Sequence, residues 1–143
     1  MLTKGFKFSD GVELYGKYVG NWGGEATKWR FDAIRDGEVI KRVTRSPGQK
    51  VHLEVRPSKT ELSEGDTYDA AEVRIRALDE YGNLAPYWRE PIVLKCSGAL
   101  ELIGPEIISL KGGSGGCYVK TVGKAGPGRL SVNDIEIEFN INM

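Results

Sequence analysis

Apolar and polar residues alternate in short stretches along most of the chain after Val51. The clearest stretch runs from Ala71 to Ala77, where apolar residues alternate with Glu72, Arg74 and Arg76. This alternation predicts a β-strand with one buried face. The same kind of pattern predicts further strands at Val51–Val55, Pro91–Cys96, Ala99–Ile103, Ile107–Leu110, Cys117–Val122, Arg129–Val132 and Ile135–Ile141.

Turn signals separate these strands at intervals of roughly ten residues. They lie at Asp79–Asn83, Gly104-Pro105, Gly112–Gly116, Lys124–Gly128 and Asn133-Asp134. About seven or eight short strands with such spacing are typical of an antiparallel sandwich, in which two sheets bury their apolar faces against each other. The immunoglobulin Cys–Trp–Cys pattern is missing. We therefore predict an immunoglobulin-like β-sandwich over residues 49–143, but not an antibody-type domain.

Residues 1–48 form a separate predicted unit, which ends at the breaker cluster Ser46-Pro47-Gly48. The pattern predicts strands at Lys4–Phe8, Val12–Val19, Lys28–Ile34 and Glu38–Val43, with turns at Asp10-Gly11 and Asp36-Gly37. Helix signals are almost absent from the whole chain, so the predicted fold class is all-β. The chain opens directly into a strand pattern without the apolar core of a signal peptide. We expect a piece of a longer protein.

The charge balance excludes two classes of partner. Twenty basic residues match twenty acidic ones, and the two signs are interspersed. A protein that binds nucleic acid through phosphates needs a basic excess or stripe, and docking on an anionic membrane needs the same. No apolar run is long enough to span a bilayer. The sequence leaves the compartment open.

Paired carboxylates are the first candidates for catalysis, because two positioned Asp or Glu residues can hydrolyse a glycoside. Glu136 and Glu138 share the polar face of the last predicted strand, where solvated carboxylates keep ordinary pKa values and make poor general acids. Asp79 and Glu80 are adjacent in a turn, so their side chains diverge. The one histidine, His52, lies on the polar side of a strand without a recognisable nucleophile. We therefore predict no catalytic residue in this chain.

Metal and cofactor sites are equally poorly supported. No cysteine or histidine spacing fits zinc. Glu64, Asp66 and Asp69 could gather around calcium in a loop, but their spacing is not that of an EF-hand. The Gly112–Gly116 loop lacks the ending of a phosphate-binding loop and leads into a strand, so it is interpreted as a flexible hairpin. No metal and no cofactor is predicted.

Two cysteines are too few for a disulfide scaffold. Cys96 and Cys117 both fall on predicted strands. We interpret them as buried thiols that act as small hydrophobic side chains. A disulfide between them is the alternative.

Aromatic residues in loops are the candidates for a binding surface. Trp22 lies among glycines, and Tyr87 and Trp88 precede a strand. Exposed rings of this kind stack on sugars, but they also pack between domains. Trp22, Tyr87 and Trp88 are the predicted carbohydrate contacts if the chain binds a sugar.

Two segments carry a family resemblance. They are AAEVRIRALDEYGNLAPYWREPIVLKCSGALELIGPE (Ala70–Glu106) and LKGGSGGCYVKTVGKAGPGRLSV (Leu110–Val132). Both resemble the C-terminal immunoglobulin-like domain of glycoside hydrolase family 2 enzymes, the bacterial β-galactosidase group. The matching features are an Asp-x-x-Gly-Asn-x-x-Pro pattern (Asp79, Gly82, Asn83, Pro86), the Leu102–Pro105 step, and the glycine loop before Tyr118-Val119. WRFDAIRDGEVIKRVT resembles the end of the preceding β-domain of those enzymes, which implies that residues 1–48 are the end of a preceding β-sandwich domain.

The resemblance implies a parent enzyme whose (β/α)8 barrel supplies the catalytic glutamates. This chain lacks the β–α alternation of such a barrel and is too short for one. We therefore expect a non-catalytic accessory domain whose partners are the other domains of the hydrolase, serving carbohydrate metabolism through the parent enzyme. Two alternatives remain: a carbohydrate-binding module, and an invasin-like bacterial adhesion repeat, which carries a close version of the Asp-x-x-Gly-Asn-x-x-Pro pattern.

Overall fold

A computed structural model describes residues 5, 7–20, 27–47 and 50–143. Its internal contacts divide the chain into two units, Met1–Pro47 and Gly48–Met143. Each unit is described below by itself.

The first unit contains one helix and one β-hairpin among its described residues. Helix α1 spans Phe8–Tyr18, and the hairpin consists of strands β1 (Trp29–Arg35) and β2 (Glu38–Arg45). The turn residues Asp36 and Gly37 have φ values of 51° and 84°, as the type I′ hairpin turn requires. The predicted hairpin is therefore confirmed, with a β-bulge between Ala33 and Ile34.

Helix α1 corrects the prediction for the start of the chain. Val12–Val19 was predicted as a strand and Asp10-Gly11 as a turn, but both lie within or at the end of the helix. The Asp10 carboxylate accepts a hydrogen bond from the Lys7 backbone N–H at 2.9 Å, which closes the first turn. Most of the strand predicted at Lys4–Phe8 lies outside the described residues, and Phe8 begins the helix.

The second unit is a β-sandwich of two sheets. Its strands are β3 (Val51–Pro57), β4 (Glu61–Ser63), β5 (Ala70–Asp79), β6 (Ile92–Gly98), β7 (Leu100–Ile103), β8 (Ile107–Ile108), β9 (Ser114–Thr121), β10 (Gly126–Val132) and β11 (Ile135–Asn142). One sheet has the order β4-β11-β10-β6-β8, and the other has the order β3-β5-β9-β7. This arrangement confirms the predicted all-β sandwich.

The core follows the alternation seen in the sequence. On β5, Ala71, Val73, Ile75 and Ala77 are buried, and Glu72, Arg74 and Arg76 lie on the other face. Leu130, Val132, Phe139 and Ile141 of the five-stranded sheet belong to the same buried cluster. Two inner faces of this kind stabilise the unit by removing apolar surface from water.

Strand β4 was not predicted, and it makes a parallel pair in an otherwise antiparallel sheet. It pairs with the end of β11, with Leu62 opposite Ile141. Three residues with a single buried side chain, Leu62, give too short a pattern to recognise in a sequence. The Gly112–Gly116 loop is also shorter than predicted, because β9 already begins at Ser114.

Candidate functional site

The turn at the end of β5 is held by a buried carboxylate. Asp79 accepts hydrogen bonds from the backbone N–H groups of Tyr81 (2.9 Å) and Asn83 (2.8 Å). It also accepts from the Asn83 side-chain amide at 2.9 Å. Glu80 instead accepts from the Lys50 backbone N–H at 3.4 Å. The two side chains diverge as predicted, and Asp79 has a structural role in the turn.

The two segments that carry the family resemblance meet beside this turn. The Ala77 backbone N–H donates to the Gly113 carbonyl at 2.9 Å. Gly113 has a φ of 79°, and a Cβ there would lie 2.7 Å from the Ala85 carbonyl oxygen. A residue other than glycine would therefore force these segments apart. The two motif-bearing segments therefore form one structural contact in this chain.

Glu136 and Glu138 lie on the outer face of β11, where both contact a single arginine. Arg129 is 3.4 Å from a Glu136 oxygen and 3.2 Å from a Glu138 oxygen. All three side chains are largely exposed. Such surface ion pairs are weak. His52 is exposed on β3.

Two of the candidate calcium ligands, Glu64 and Asp69, accept hydrogen bonds from other groups of the sandwich. Glu64 accepts a hydrogen bond from the Gly123 backbone N–H at 2.6 Å. Asp69 accepts from Lys59 Nζ at 2.6 Å and from the backbone N–H groups of Ser63 (3.0 Å) and Ala70 (2.8 Å). Among the described residues, no three His, Cys, Asp or Glu side chains gather as metal ligands.

Asp69 makes the sandwich sensitive to acid. Hydrogen bonds from Lys59 and then from the Ser63 backbone lower the pKa of Asp69 below its ordinary value. A lowered folded-state pKa stabilises the fold above the unfolded pKa of about 3.9, and that stabilisation is lost as the pH falls through the folded value. We expect Asp69→Asn to lose less stability than the wild type between about pH 5 and pH 3, measured by urea unfolding. Asp66→Asn, at an exposed position, should lose stability with falling pH as the wild type does. The same pH dependence in Asp69→Asn as in the wild type would contradict this role of Asp69.

Both cysteines are free thiols. Burial raises the pKa of each thiol to about 11. Few of these groups are thiolates near neutral pH, so neither is prepared for nucleophilic chemistry. The structure agrees with the interpretation of small hydrophobic residues.

The predicted sugar-contacting aromatics differ in their surroundings. Trp22 lies outside the described residues. Tyr87 is 60% exposed, whereas Trp88 is half-buried and packs against the core. Trp88 also forms one wall of a shallow depression of about 520 Å³, together with His52, Leu53, Glu90, Asn133 and other residues. The described structure therefore does not bring Tyr87 and Trp88 into one exposed aromatic surface.

A different groove lies on the outer face of the four-stranded sheet. Two depressions of about 300 and 320 Å³ share Glu72 and Arg74 as lining residues. The first also contacts Glu54, Arg56 and Arg76, and the second is lined by Gly115, Gly116 and Tyr118. We call the combined depression the Tyr118 groove. The sequence signal for it was the position of Tyr118 between two inward-facing residues of β9, which directs an aromatic ring towards solvent.

Comparison with known proteins places the chain in a family. No protein-family model matches it. The chain is 33% identical over 124 residues to a β-galactosidase of Rhizobium radiobacter, and the match covers 84% of the chain and 86% of that protein. This chain belongs to the β-galactosidase family. The relationship confirms the resemblance that Ala70–Glu106 and Leu110–Val132 carry.

Longer β-galactosidases also match part of the chain. The chain is 31% identical to the enzyme of Thermoanaerobacter pseudethanolicus over 91 residues and 30% identical to that of Rhizobium meliloti over 99 residues. These matches cover 64% and 68% of the chain but only 12% and 13% of the relatives. The chain therefore spans about an eighth of the length of these longer members of the family.

Solved structures agree on the fold. A glycosyl hydrolase family 2 member from Bacteroides cellulosilyticus superposes with a TM-score of 0.63 at 13% identity, covering 81% of this chain and 17% of that one. A β-glycosidase from Bacteroides vulgatus gives a TM-score of 0.60 at 15% identity, with 83% and 18% coverage. Within the described part of this β-galactosidase-family chain, no helix is long and apolar enough to cross a bilayer.

Proposed function

We propose that this chain is a non-catalytic accessory domain of a larger family 2 hydrolase and acts by packing against the other domains of that enzyme. The matched part of the chain corresponds to 12–13% of the longer β-galactosidases. In this proposal, the catalytic glutamates lie in the remaining part of the enzyme. Residues 1–48 belong to the end of the preceding β-domain.

The observation that carries this proposal is the uncovered apolar face of the β1–β2 hairpin. Trp29, Phe31 and Ala33 alternate along β1, and Phe31 lies opposite Val43 of β2. Trp29 is 53% and Phe31 59% exposed. A two-stranded hairpin is marginally stable in water unless another surface covers its apolar face.

The opposite face of the hairpin is polar. Asp32 accepts hydrogen bonds from Arg42 Nε at 2.8 Å and Nη2 at 3.1 Å, and Arg30 lies 3.4 Å from the same carboxylate. The hairpin is therefore amphipathic, as in a sheet with one buried face. The surface that covers it in this proposal is the preceding β-domain of the parent enzyme.

Helix α1 presents a second apolar stripe. Phe8, Val12 and Tyr15 follow the helical spacing, and no residue of the helix is buried. Exposed apolar surface on both elements is typical of a segment that is completed by neighbouring structure.

The docking role is tested with Phe31→Ser in the full-length hydrolase and in the 143-residue chain. In the full-length enzyme, we expect Phe31→Ser to lower the midpoint of thermal unfolding, because it removes an apolar side chain from a domain contact. In the isolated chain, the same change should reduce binding of a dye specific for exposed apolar surface and leave the unfolding of the sandwich unchanged. Arg30→Ser, on the polar face, is the matched control. Equal effects of both variants in the full-length enzyme would overturn the proposal.

The non-catalytic role makes a separate prediction. We expect the isolated chain to hydrolyse no p-nitrophenyl β-galactoside above the buffer rate, because its described carboxylates are exposed, ion-paired or used in turns. Hydrolysis that increases in proportion to this protein across independent preparations would contradict the non-catalytic role.

A further inference from the structure

The Tyr118 groove combines an exposed ring with a floor made of backbone. Glu72 lies opposite Tyr118, and Arg74 lies opposite Gly116. A Cβ at Gly116 would lie 2.4 Å from the Val73 carbonyl oxygen, so no other residue fits there without movement of the backbone. The groove is consequently open between the Tyr118 ring and the Arg74 guanidinium. The Cα atoms of diagonal neighbours such as Tyr118 and Arg74 are about 7–8 Å apart.

The arginines of the groove exceed its carboxylates. Glu54 accepts hydrogen bonds from Arg56 at 2.6 Å and from Arg76 at 2.6 and 2.8 Å. Arg74 donates to Glu72 at 3.3 Å. Three guanidinium groups thus face two carboxylates, and two of the three share one carboxylate. One positive charge is left without a matching negative charge in the groove, and guanidinium donors are well suited to bind a carboxylate.

Tyr118 supplies an apolar contact at the other end. Its side chain is 55% exposed, and its cross-strand neighbour on β7 is Ile103, which is also exposed. Within the described part of the chain, Tyr118 makes no hydrogen bond or ring contact. An aromatic ring beside a flat floor is suited to the C–H face of a sugar ring, and the surrounding carboxylates and guanidinium groups can hydrogen-bond its hydroxyls.

The position of the groove argues against a peptide ligand. Between Tyr118 and Arg74 it lies across β5 and β9, which are interior strands of the four-stranded sheet, and Glu54 and Arg56 extend it onto the edge strand β3. The backbone groups of β5 and β9 already pair with neighbouring strands, so an extended peptide cannot add to the sheet between Tyr118 and Arg74. A single excess positive charge is also too small for binding of nucleic acid through phosphates.

We infer that the Tyr118 groove binds an acidic saccharide, with one sugar ring against Tyr118 and a carboxylate at Arg56 and Arg76, the two arginines that share Glu54. The inference is independent of the proposed packing role. It places the carbohydrate contact at Tyr118 and not at Tyr87 and Trp88.

The test is a titration of the ¹⁵N-labelled 143-residue chain with a galacturonic acid trisaccharide at low salt, followed by NMR. We expect saturable shifts at Arg74, Gly116 and Tyr118 that weaken as salt is added. Tyr118→Ala should weaken binding by about fivefold to tenfold, and Arg56→Gln, which removes the excess positive charge, by about tenfold. Tyr87→Ala, which removes an equally exposed tyrosine, should bind like the wild type. Preserved amide spectra elsewhere would show that each variant is folded.

Several outcomes would overturn the inference. One is the absence of shifts at these residues up to about 10 mM ligand, a concentration that saturates even millimolar sites. If a neutral galactose trisaccharide bound with the same affinity as the acidic one, the arginines would have no role in binding. Loss of binding in Tyr87→Ala but not in Tyr118→Ala would place the site elsewhere. Tighter binding of a poly-glutamate peptide than of the trisaccharide would replace the sugar with an acidic polypeptide.

Discussion

Replacing Ile75 with alanine is expected to lower the free energy of unfolding of the sandwich by about 2–5 kcal/mol. Ile75 has no exposed surface, and its strand, β5, pairs on both sides, with β3 and β9. The substitution removes three buried carbon atoms and leaves a cavity that the paired backbone cannot collapse to fill. Because domains of this size are stable by only about 5–15 kcal/mol, the variant should retain a much smaller margin.

Urea unfolding followed by circular dichroism measures this loss. The midpoint should fall while the slope with denaturant stays unchanged, since the area exposed on unfolding is nearly the same. Ile107→Ala is the matched control, because Ile107 also lies on a strand but is 63% exposed. It should change stability by less than about 0.5 kcal/mol. Similar losses in both variants would show that the core does not lie where the structure places it.

The fold class could be predicted from the sequence because most strands of the sandwich bury one face. On β5, every second residue is apolar and the intervening residues are charged, a pattern that permits only one orientation of the strand. Strand β11 repeats this pattern at Ile135–Ile141. Where the pattern is this regular, strand position follows directly from it.

Helix α1 could not be predicted in this way because two periods fit the same residues. Val12, Leu14 and Tyr18 are spaced as on a strand, whereas Phe8, Val12 and Tyr15 are spaced as on a helix. Gly11 and Gly16 also lower the intrinsic helix propensity. The hydrogen bond from Lys7 to Asp10 favours the helix, but it is a local contact that composition does not reveal.

The candidate sites were predictable only in part. Exposure of Glu136, Glu138 and His52 followed from alternation, because each lies on the polar face of a strand. The Tyr118 groove depends on cross-strand register, which places Arg74 beside Gly116, and on the absence of a side chain at Gly116. Neither relation can be obtained from spacing along a single strand.

The buried position of Asp79 was likewise not apparent, because an Asp in a turn is usually a surface residue. Here the carboxylate turns inwards, and its side chain accepts hydrogen bonds from two backbone N–H groups and from Asn83. The turn also closes through its backbone, since Asp79 N–H donates to the Asn83 carbonyl at 2.8 Å. The Asp-x-x-Gly-Asn-x-x-Pro pattern at Asp79–Pro86 therefore describes a folded turn in this chain.

We expect Asp79→Ala to lower the free energy of unfolding by about 2–4 kcal/mol, because it removes the carboxylate that accepts the part-buried N–H groups of Tyr81 and Asn83. Asp79→Asn keeps one acceptor oxygen and should lose less. Asp66→Ala, at an exposed position, is the control and should change stability by less than about 0.5 kcal/mol. The urea midpoints should rise in the order Asp79→Ala, Asp79→Asn, Asp66→Ala.

The adjoining contact gives a second readout: the Ala77 amide, which donates to Gly113, should exchange with solvent faster in Asp79→Ala. Unchanged exchange at Ala77 together with an unchanged midpoint would show that the turn does not depend on the buried carboxylate.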